Sequence, residues 1–212
     1  QRAERTEFLA VTGTNGKSTT TTLLYEMIKN SGFKAILGGN IGNALTEEIG
    51  KLMQDAGYKI QDNVHRESCI MNHASIAYIV AEVSSFQLES IDEFRPNGAT
   101  ILNITPDHLD RYHHSMDEYR DAKAQVFLNQ KKEDFLVLNA DDDEVMKVRS
   151  EKLEVRSERP KTFYFSRKKE VEGVYFKDDA VYSNLRGSKL SDDSFKLISA
   201  SDIRIKGVHN LE

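Results

Sequence analysis

The feature that most constrains this chain is a glycine-containing segment between an apolar run and a helix-like stretch. The run Glu7–Thr12 predicts a buried strand, and Gly13-Thr14-Asn15-Gly16-Lys17-Ser18 follows it directly. From Ser18 to Ile28 apolar residues recur at helical spacing, and Gly32 ends the pattern. The sequence therefore predicts a strand, a loop and a helix in that order, which is the context in which a glycine loop binds phosphate.

The residue types of this loop predict that it binds a nucleoside triphosphate, ATP, together with magnesium. Glycines allow backbone N–H groups to turn towards phosphate oxygens, and the N-terminus of a helix adds partial positive charge. Lys17 can reach the β- and γ-phosphates, and the Ser18 hydroxyl can bind Mg²⁺. The common pattern has a glycine where this chain has Val11, so the alternative is a glycine turn with an incidental lysine. We expect nucleotide contacts from Gly13, Thr14, Asn15, Gly16, Lys17, Ser18 and Thr19.

Polar residues also end two later apolar runs. Glu82 lies near the end of the run 75–83, and Asp107-His108-Leu109-Asp110 follows the run 99–104. The C-terminal edge of a parallel sheet is where ligands bind, and an acid in an apolar strand is costly unless it meets a cation. Glu82 is therefore a candidate magnesium ligand, with a solvent-facing strand end as the alternative. The second cluster indicates a site with two metal ions.

Lys123 lies on the apolar side of a predicted helix. Ser115 and Glu118 predict a capping box at its start, and Lys123 falls within a stripe that includes Tyr119, whereas Arg120 and Ala124 are expected to face away from it. A lysine in such a stripe usually extends its ammonium group to water. The alternative is a desolvated, deprotonated amine that can be modified. The pattern alone slightly favours the first interpretation.

The alternation of apolar runs and helical stretches predicts an α/β fold, with a mostly parallel sheet flanked by helices as in the P-loop NTPases. After about residue 160, five short strand-like runs separated by polar turns predict a small antiparallel β-subsheet in the C-terminal third, with a hairpin at Lys177-Asp178-Asp179.

Composition narrows the function classes. The net charge of -5 argues against a broad nucleic-acid surface. No apolar stretch approaches the roughly 20 residues of a membrane span, and one cysteine fits a reducing cytoplasm. Residues 54–75 have weak periodicity, which indicates an insertion. His65, Cys69 and His73 within it could line one helical face as a metal site, although exposed polar residues are the ordinary interpretation.

Four motifs together resemble the Mur ligases, the ATP-dependent amino-acid ligases of bacterial peptidoglycan synthesis. These motifs are Thr12–Ser18, Gly38–Gly42, Glu82–Glu89 and Asn103–Arg111. The runs Ser84–Glu89 and Asp107–Arg111 most resemble the branch that adds D-glutamate to UDP-N-acetylmuramoyl-L-alanine. A sister ligase for another amino acid and a folylpolyglutamate-type ligase are the alternatives with related chemistry.

The resemblance implies a cytoplasmic bacterial enzyme of three domains, of which this chain is the central ATPase domain. The domain would span residues 1–206 with an insertion at about 54–75, and 207–212 would begin a linker to a C-terminal domain. Its partners would be the two other domains and small-molecule substrates, with neither nucleic acid nor membrane. Asn210 belongs to an element that the family uses at the adenine. A nucleotide-binding fragment that is inactive in isolation is therefore a further alternative.

The resemblance also implies a role for each site residue. Lys17 and Ser18 would hold phosphates and Mg²⁺, Glu82 would bind the first Mg²⁺ and His108 the second. Lys123 corresponds to the lysine that family members carbamylate, which turns a buried cation into an anion that orients the second metal. Lys17, His108 and Lys123 would thus be catalytic, in a reaction that proceeds through an acyl phosphate. Two further positions, Asn40 and Ser84, would lie near the muramoyl-alanine part of the substrate.

Overall fold

The computed structural model describes residues 6–41, 45–55, 78–185 and 194–204. In these ranges nine strands form one sheet. The strands are β1 Glu7–Thr12, β2 Ala35–Gly39, β3 Tyr78–Glu82, β4 Gly98–Ile101, β5 Phe135–Asn139, β6 Lys161–Ser166, β7 Gly173–Lys177, β8 Ala180–Ser183 and β9 Phe195–Ser199. The α-helices are α1 Lys17–Asn30, α2 Leu45–Asp55, α3 Ser85–Leu88, α4 Met116–Leu128 and α5 Asp143–Val148; a π-helical turn, Arg149–Leu153, continues α5, and a 3-10 turn, Ala200–Asp202, follows β9.

The strand order is β2-β3-β1-β4-β5-β6-β7-β8-β9. In this order, every neighbouring pair as far as β6 and β7 is parallel. The last two pairs, β7 with β8 and β8 with β9, are antiparallel. The predicted fold class is therefore confirmed. Parallel pairing places the C-terminal ends of β1, β3 and β4 at one edge, and the loops that carry the predicted site residues start there.

The antiparallel strands continue the main sheet, and the sequence pattern did not show how they join it. The run around Phe163 becomes β6, which pairs in parallel on β5, so it belongs to the parallel part. The predicted hairpin is confirmed, since Asp178 and Asp179 have φ of 48° and 53° between β7 and β8, as expected for a two-residue turn. Ile203, expected to start a fifth strand, has no regular secondary structure.

The main core lies on one face of the sheet, beneath α3, α4 and α5. Its fully buried side chains include Leu88, Ile101, Phe127, Leu136, Leu138 and Val145. A smaller cluster forms with α1, in which Val11, Leu102 and Phe165 pack with Leu24. Because side chains alternate along a strand, Ala10 belongs to the first cluster and Val11 to the second. Strand β1, which leads into the glycine loop, is thus packed on both faces of the sheet.

Helix α4 is buried on more sides than its sequence pattern predicts. Arg120 and Ala124, expected to face away from the apolar stripe, are 5% and 1% exposed. The Arg120 guanidinium lies 2.8 Å from Glu144 of α5 and 2.9 Å from Glu151 of the π-helical turn. Those two segments cover the flank of α4 that carries Arg120. Both residues are buried although they lie outside the predicted apolar stripe, and the pattern did not indicate this burial.

The start of α4 contains half of the predicted capping box. The Ser115 hydroxyl accepts from the Glu118 N–H at 3.3 Å, as an N-cap serine does. The Glu118 carboxylate instead contacts Nδ1 of His113 at 2.9 Å, and the Ser115 N–H donates to the Tyr112 carbonyl.

In the described residues, no helix has the length and apolar character needed to span a membrane.

Candidate active site

The glycine loop joins β1 to α1 as the sequence predicts. Gly16 precedes the helix with φ of 80°, a left-handed conformation that favours glycine. A Cβ on Gly13 would lie 3.0 Å from Cβ of Leu102, so the loop passes close to the end of β4. The first turn of α1 has no side-chain cap and no acidic residue. Its N–H groups and partial positive charge therefore suit an anion.

Asn103 holds the loop in place, a role that no sequence pattern indicates. Its Oδ1 accepts from the N–H groups of Thr14 at 3.1 Å and Asn15 at 2.8 Å. Its Nδ2 donates to the Asn15 carbonyl at 3.1 Å, and its own carbonyl accepts from the Thr14 N–H at 3.0 Å. The side chain thus extends the pairing of β1 with β4 into the loop. The Thr14 and Asn15 N–H groups point to Asn103, which leaves the amides of the first helical turn to face a phosphate.

Thr14 connects the loop to a second segment and to α4. Its hydroxyl accepts from the Thr105 N–H at 3.0 Å and lies 3.2 Å from the Tyr119 hydroxyl. Burial raises the pKa of Tyr119, so this phenol stays protonated. These bonds join the glycine loop, the loop after β4 and α4 into one unit.

Lys17 lies over its own loop. Its Nζ donates to the Thr14 carbonyl at 2.8 Å. An ammonium group has three donors, so this contact leaves two for phosphate oxygens. Thr19, also predicted to contact the nucleotide, lies exposed in the first turn of α1.

Ser18, Glu82 and Asn40 meet at the ends of α1, β3 and β2. The Ser18 hydroxyl donates to Oε2 of Glu82 at 2.7 Å, and Nδ2 of Asn40 donates to Oε1 at 3.2 Å. Glu82 is only 3% exposed. A Cβ on Gly39, which has φ of 99°, would lie 2.1 Å from the Glu82 carbonyl oxygen, so only glycine permits this approach of β2 to β3.

This cluster fits a magnesium ion. Ser18 Oγ and Glu82 Oε2 are separated by about the distance between neighbouring ligands of one Mg²⁺, roughly 3 Å at the usual Mg–O length. A buried carboxylate also needs a cation or donors around it. Magnesium usually takes one or two protein ligands and completes its shell with phosphate oxygens and water. Ser18 and Glu82 supply such a pair directly beside the glycine loop.

Lys123 is buried, and its ammonium group does not reach water. The side chain is 2% exposed, Nζ donates to the Gly13 carbonyl at 2.9 Å, and it lies 4.5 Å from the centre of the Tyr119 ring. Burial, and after it the positive charge of Lys17, lower the pKa of Lys123 to about 7, while Asp107 acts in the opposite direction. The interpretation in which Lys123 extends to solvent is therefore wrong. Only a neutral amine is a nucleophile, and the lowered pKa increases the neutral fraction of this one.

His108 lies at the same edge of the sheet but is exposed. Its φ is 51°, its side chain is 58% exposed, and Nε2 lies 3.7 Å from a carboxylate oxygen of Asp107. The ring packs against Phe86 with centroids 5.3 Å apart. His108 and Lys123 thus contact different partners. The charges that act on the lysine are those of Lys17 and, more weakly, Asp107.

Ser84 caps α3. Its hydroxyl accepts from the Gln87 N–H, and the Gln87 side chain accepts from the Ser84 N–H at 2.9 Å, which completes a capping box. The hydroxyl also donates to Oε1 of Gln87 at 3.0 Å. Its role at a substrate stays a prediction.

Several predicted site residues lie outside the described ranges. These are Asn210, expected at the nucleotide, and His65, Cys69 and His73, considered as a metal site. Within the four described ranges, no group of three or more His, Cys, Asp or Glu side chains could hold a metal ion.

Comparison with known proteins decides the family. The Mur ligase middle domain matches residues 11–212. This chain belongs to the Mur ligase middle-domain family. It is 40% identical over 212 residues to the UDP-N-acetylmuramoylalanine--D-glutamate ligase of Thermoanaerobacter sp. (strain X514), covering all of this chain and 39% of that protein. It is 40% identical over 206 residues to the enzyme of the same name from Clostridioides difficile (strain 630), covering 97% of this chain and 38% of that protein. The chain thus spans about two fifths of the length of these Mur ligases.

Solved structures of Mur ligases share the fold. A UDP-N-acetylmuramoyl-L-alanyl-D-glutamate--2,6-diaminopimelate ligase superposes with a TM-score of 0.63 at 22% identity, over 98% of this chain and 41% of that one. The UDP-N-acetylmuramate-alanine ligase of Thermotoga maritima superposes with a TM-score of 0.53 at 21% identity, over 98% of this chain and 39% of that one. At such identity the likeness establishes the Mur ligase fold and no particular substrate.

Proposed function

We propose that this chain is the ATP-binding central domain of a Mur ligase that adds D-glutamate to UDP-N-acetylmuramoyl-L-alanine. The observation that carries the proposal is the convergence of Lys17, Ser18, Glu82 and Lys123 on the glycine loop after β1. The choice of D-glutamate rests on the names of the relatives at 40% identity. The domain would end near residue 206, where a linker begins, and residues near 54–75 would be an insertion.

ATP would bind with its phosphates at the N-terminus of α1. Gly13 to Thr19 form the loop and first turn, and Lys17 has donors left for the β- and γ-phosphates. Ser18 and Glu82 would hold one Mg²⁺, which offsets the charge of the phosphates. The adenine would meet Asn210, and the two other domains would complete the site. We place this enzyme in the bacterial cytoplasm.

Lys123 would act as a carbamate. The neutral amine attacks carbon dioxide, an N–C bond forms, and one proton leaves to solvent. The carbamate retains an N–H, which can keep the bond to the Gly13 carbonyl that the amine makes now. Its two oxygens would turn towards His108 and hold a second Mg²⁺ with it. Modification also removes the cost of an ammonium group buried near Lys17.

The reaction would begin when the muramoyl-alanine carboxylate attacks the γ-phosphorus of ATP. The bond from this phosphorus to the bridging oxygen breaks, and an acyl phosphate and ADP form. The amine of D-glutamate then attacks the acyl carbon, loses a proton and displaces phosphate. Lys17 would stabilise the transferring phosphoryl group, while the buried Glu82 and the Asn103-anchored loop keep the positions of the phosphates fixed.

A cavity beside Glu82 offers room for the acyl substrate. It measures about 290 Å³ and lies between β2, β3, α2 and α3. Gly39, Glu82, Val83 and Gln87 line it, with apolar side chains opposite. Asn40 follows Gly39 and Ser84 follows Val83 in the chain, so both proposed substrate residues adjoin the cavity. Its position next to the proposed metal would bring a carboxylate to the γ-phosphate.

The test uses the full-length protein. Phosphate release is measured with ATP, Mg²⁺, UDP-N-acetylmuramoyl-L-alanine and either D-glutamate or L-lysine. We expect turnover with D-glutamate and none with L-lysine. The variant Lys123→Ala should lose this turnover, and formate should restore part of it, because its carboxylate can replace the carbamate. Turnover with L-lysine but not D-glutamate would refute the proposed specificity. Normal turnover of Lys123→Ala would remove the carbamate from the mechanism.

A further inference from the structure

The segment after Glu82 contains two side chains that the proposed reaction does not use. Phe86 lies in α3, and Glu89 follows its last residue. Ser84 caps this short helix and Leu88 anchors it in the core, where its side chain is fully buried. The helix is therefore a fixed support directly after the strand that carries Glu82.

Glu89 binds the loop that carries His108. Nη2 of Arg111 donates to Oε2 of Glu89 at 2.8 Å, and Nε donates to both carboxylate oxygens at 3.2 and 3.3 Å. The Tyr112 hydroxyl donates to Oε1 of the same carboxylate. Tyr112 is 5% exposed, and its ring packs against that of Tyr119 with centroids 5.1 Å apart. The carboxylate thus joins an exposed guanidinium to a buried phenol.

Phe86 receives the other side of this loop. The Arg111 guanidinium lies 4.9 Å from the centre of the Phe86 ring, and the His108 ring centroid lies 5.3 Å from it. His108 has little burial to fix its orientation, because its side chain is more than half exposed. Apart from Asp107 at 3.7 Å, the contact with Phe86 is what holds the imidazole in the described part of the chain. Arg111 in turn holds the loop on that ring.

We propose that Glu89 is a positioning residue that sets the orientation of His108 through Arg111 and Phe86. This inference rests on the proposed function, in which His108 binds the second Mg²⁺. It explains why the runs Ser84–Glu89 and Asp107–Arg111 occur together, since each supplies half of one contact. An ion pair this exposed contributes little to the stability of the whole fold, so its effect is local. Partners of this kind typically change metal affinity or activity by about 10- to 100-fold.

The first test measures the His108 ring by NMR in the chain with neither metal nor nucleotide. The Cε1–Hε1 resonance of His108 is identified as the one that disappears in His108→Gln. The variant Phe86→Leu then gives the chemical shift of this resonance without the ring current of Phe86. In Glu89→Gln we expect the resonance to move most of the way towards the Phe86→Leu position. Arg111→Lys should move it in the same direction, because an ammonium group cannot bind a carboxylate in the forked manner of a guanidinium.

Glu170→Gln is the matched control. It removes the same charge from a 2.7 Å pair with Lys177 beside β7, away from the site. We expect no movement of the His108 resonance in this control. An unchanged resonance in both Glu89→Gln and Arg111→Lys would overturn the proposal, as would an equal movement in the control.

The second test uses the full-length enzyme. In Glu89→Gln we expect kcat to fall by about 10-fold or more, with an unchanged ATP dissociation constant, because Asn103 and not Glu89 holds the phosphate loop. A merely structural role would lower the unfolding temperature and leave kcat of the folded enzyme unchanged, which would overturn the proposal. If the wild-type enzyme does not ligate at all, the proposed function fails, and the NMR result alone judges the positioning of His108.

Discussion

Replacing Lys123 by methionine should change how the free energy of unfolding depends on pH. Methionine has a similar length, no charge and no titration. In the wild type, burial lowers the pKa of Lys123 from 10.5 to about 7. Between these values the unfolded chain binds a proton that the folded chain does not, so the stability of the wild type rises with pH in this window. Below about pH 7 both states are protonated, and the full penalty of a buried charge remains.

The size of the effect follows from the pKa. The whole window corresponds to roughly 5 kcal/mol, of which about 2 kcal/mol falls between pH 7 and pH 9. The methionine variant has no such titration. Its free energy of unfolding relative to that of the wild type should therefore fall by about 2 kcal/mol between pH 7 and pH 9. Loss of the bond from Nζ to the Gly13 carbonyl adds a constant cost of about 1 to 3 kcal/mol to the variant, which leaves the slope unchanged.

The assay is equilibrium unfolding of both proteins in guanidinium chloride at several pH values between 6 and 9.5, the range that the pKa sets. Buffers are kept free of carbon dioxide, because a carbamate would remove the titration, and urea is avoided because its cyanate modifies lysines. A stability difference that stays constant with pH would show that Lys123 titrates normally. The proposed basis for its carbamylation would then be refuted.

Three further predictions concern other parts of the site and its scaffold. Glu82→Gln should weaken binding of an ATP analogue about tenfold in the presence of Mg²⁺ and leave binding without Mg²⁺ unchanged. Calorimetry measures both affinities, and equal weakening in the two conditions would exclude Glu82 as a metal ligand. Gly39→Ala should lower the free energy of unfolding by about 3 kcal/mol. The control Gly32→Ala should lower it by about 1 kcal/mol, because Gly32 also has a positive φ but has open space around it. Similar unfolding midpoints for the two variants would contradict the close approach of β2 to Glu82. Ser115→Ala should cost about 1 kcal/mol through loss of the N-cap bond, and an unchanged midpoint in the same unfolding assay would argue against that cap.

Local sequence pattern was enough to predict the elements that carry the site. A strand, a glycine loop and a helix are determined by residues close together in the chain, and so is the order in which strands and helices alternate. Glu82 was predicted to need a cation because an acid interrupts an apolar run, and the structure places it 2.7 Å from Ser18. The family resemblance supplied the role of Asn40, which no local pattern indicates. It also singled out His108 as a magnesium ligand from a strand-end cluster that by itself indicated only a metal site.

The contacts that shape the site could not be predicted in this way. Asn103 bonds to the loop across 88 and 89 positions of sequence, and Lys123 bonds to Gly13 across 110 positions. Such bonds depend on which strands become neighbours, and β1 pairs with β3 and β4, not with β2. The burial of Arg120 depends on such distant contacts as well. A charged residue predicts a solvated face, unless partners such as Glu144 and Glu151 arrive from a later segment.

The most direct test of a two-metal site built around the glycine loop is a crystal structure of the full-length protein with a non-hydrolysable ATP analogue and Mn²⁺ in place of Mg²⁺. Anomalous scattering then locates each metal without assumptions about its ligands. We predict one Mn²⁺ on Ser18 and Glu82, a second beside His108, and additional density on Nζ of Lys123 for a carbamate. Phosphates bound elsewhere, or an unmodified Lys123 with no metal at Glu82, would contradict the proposed function.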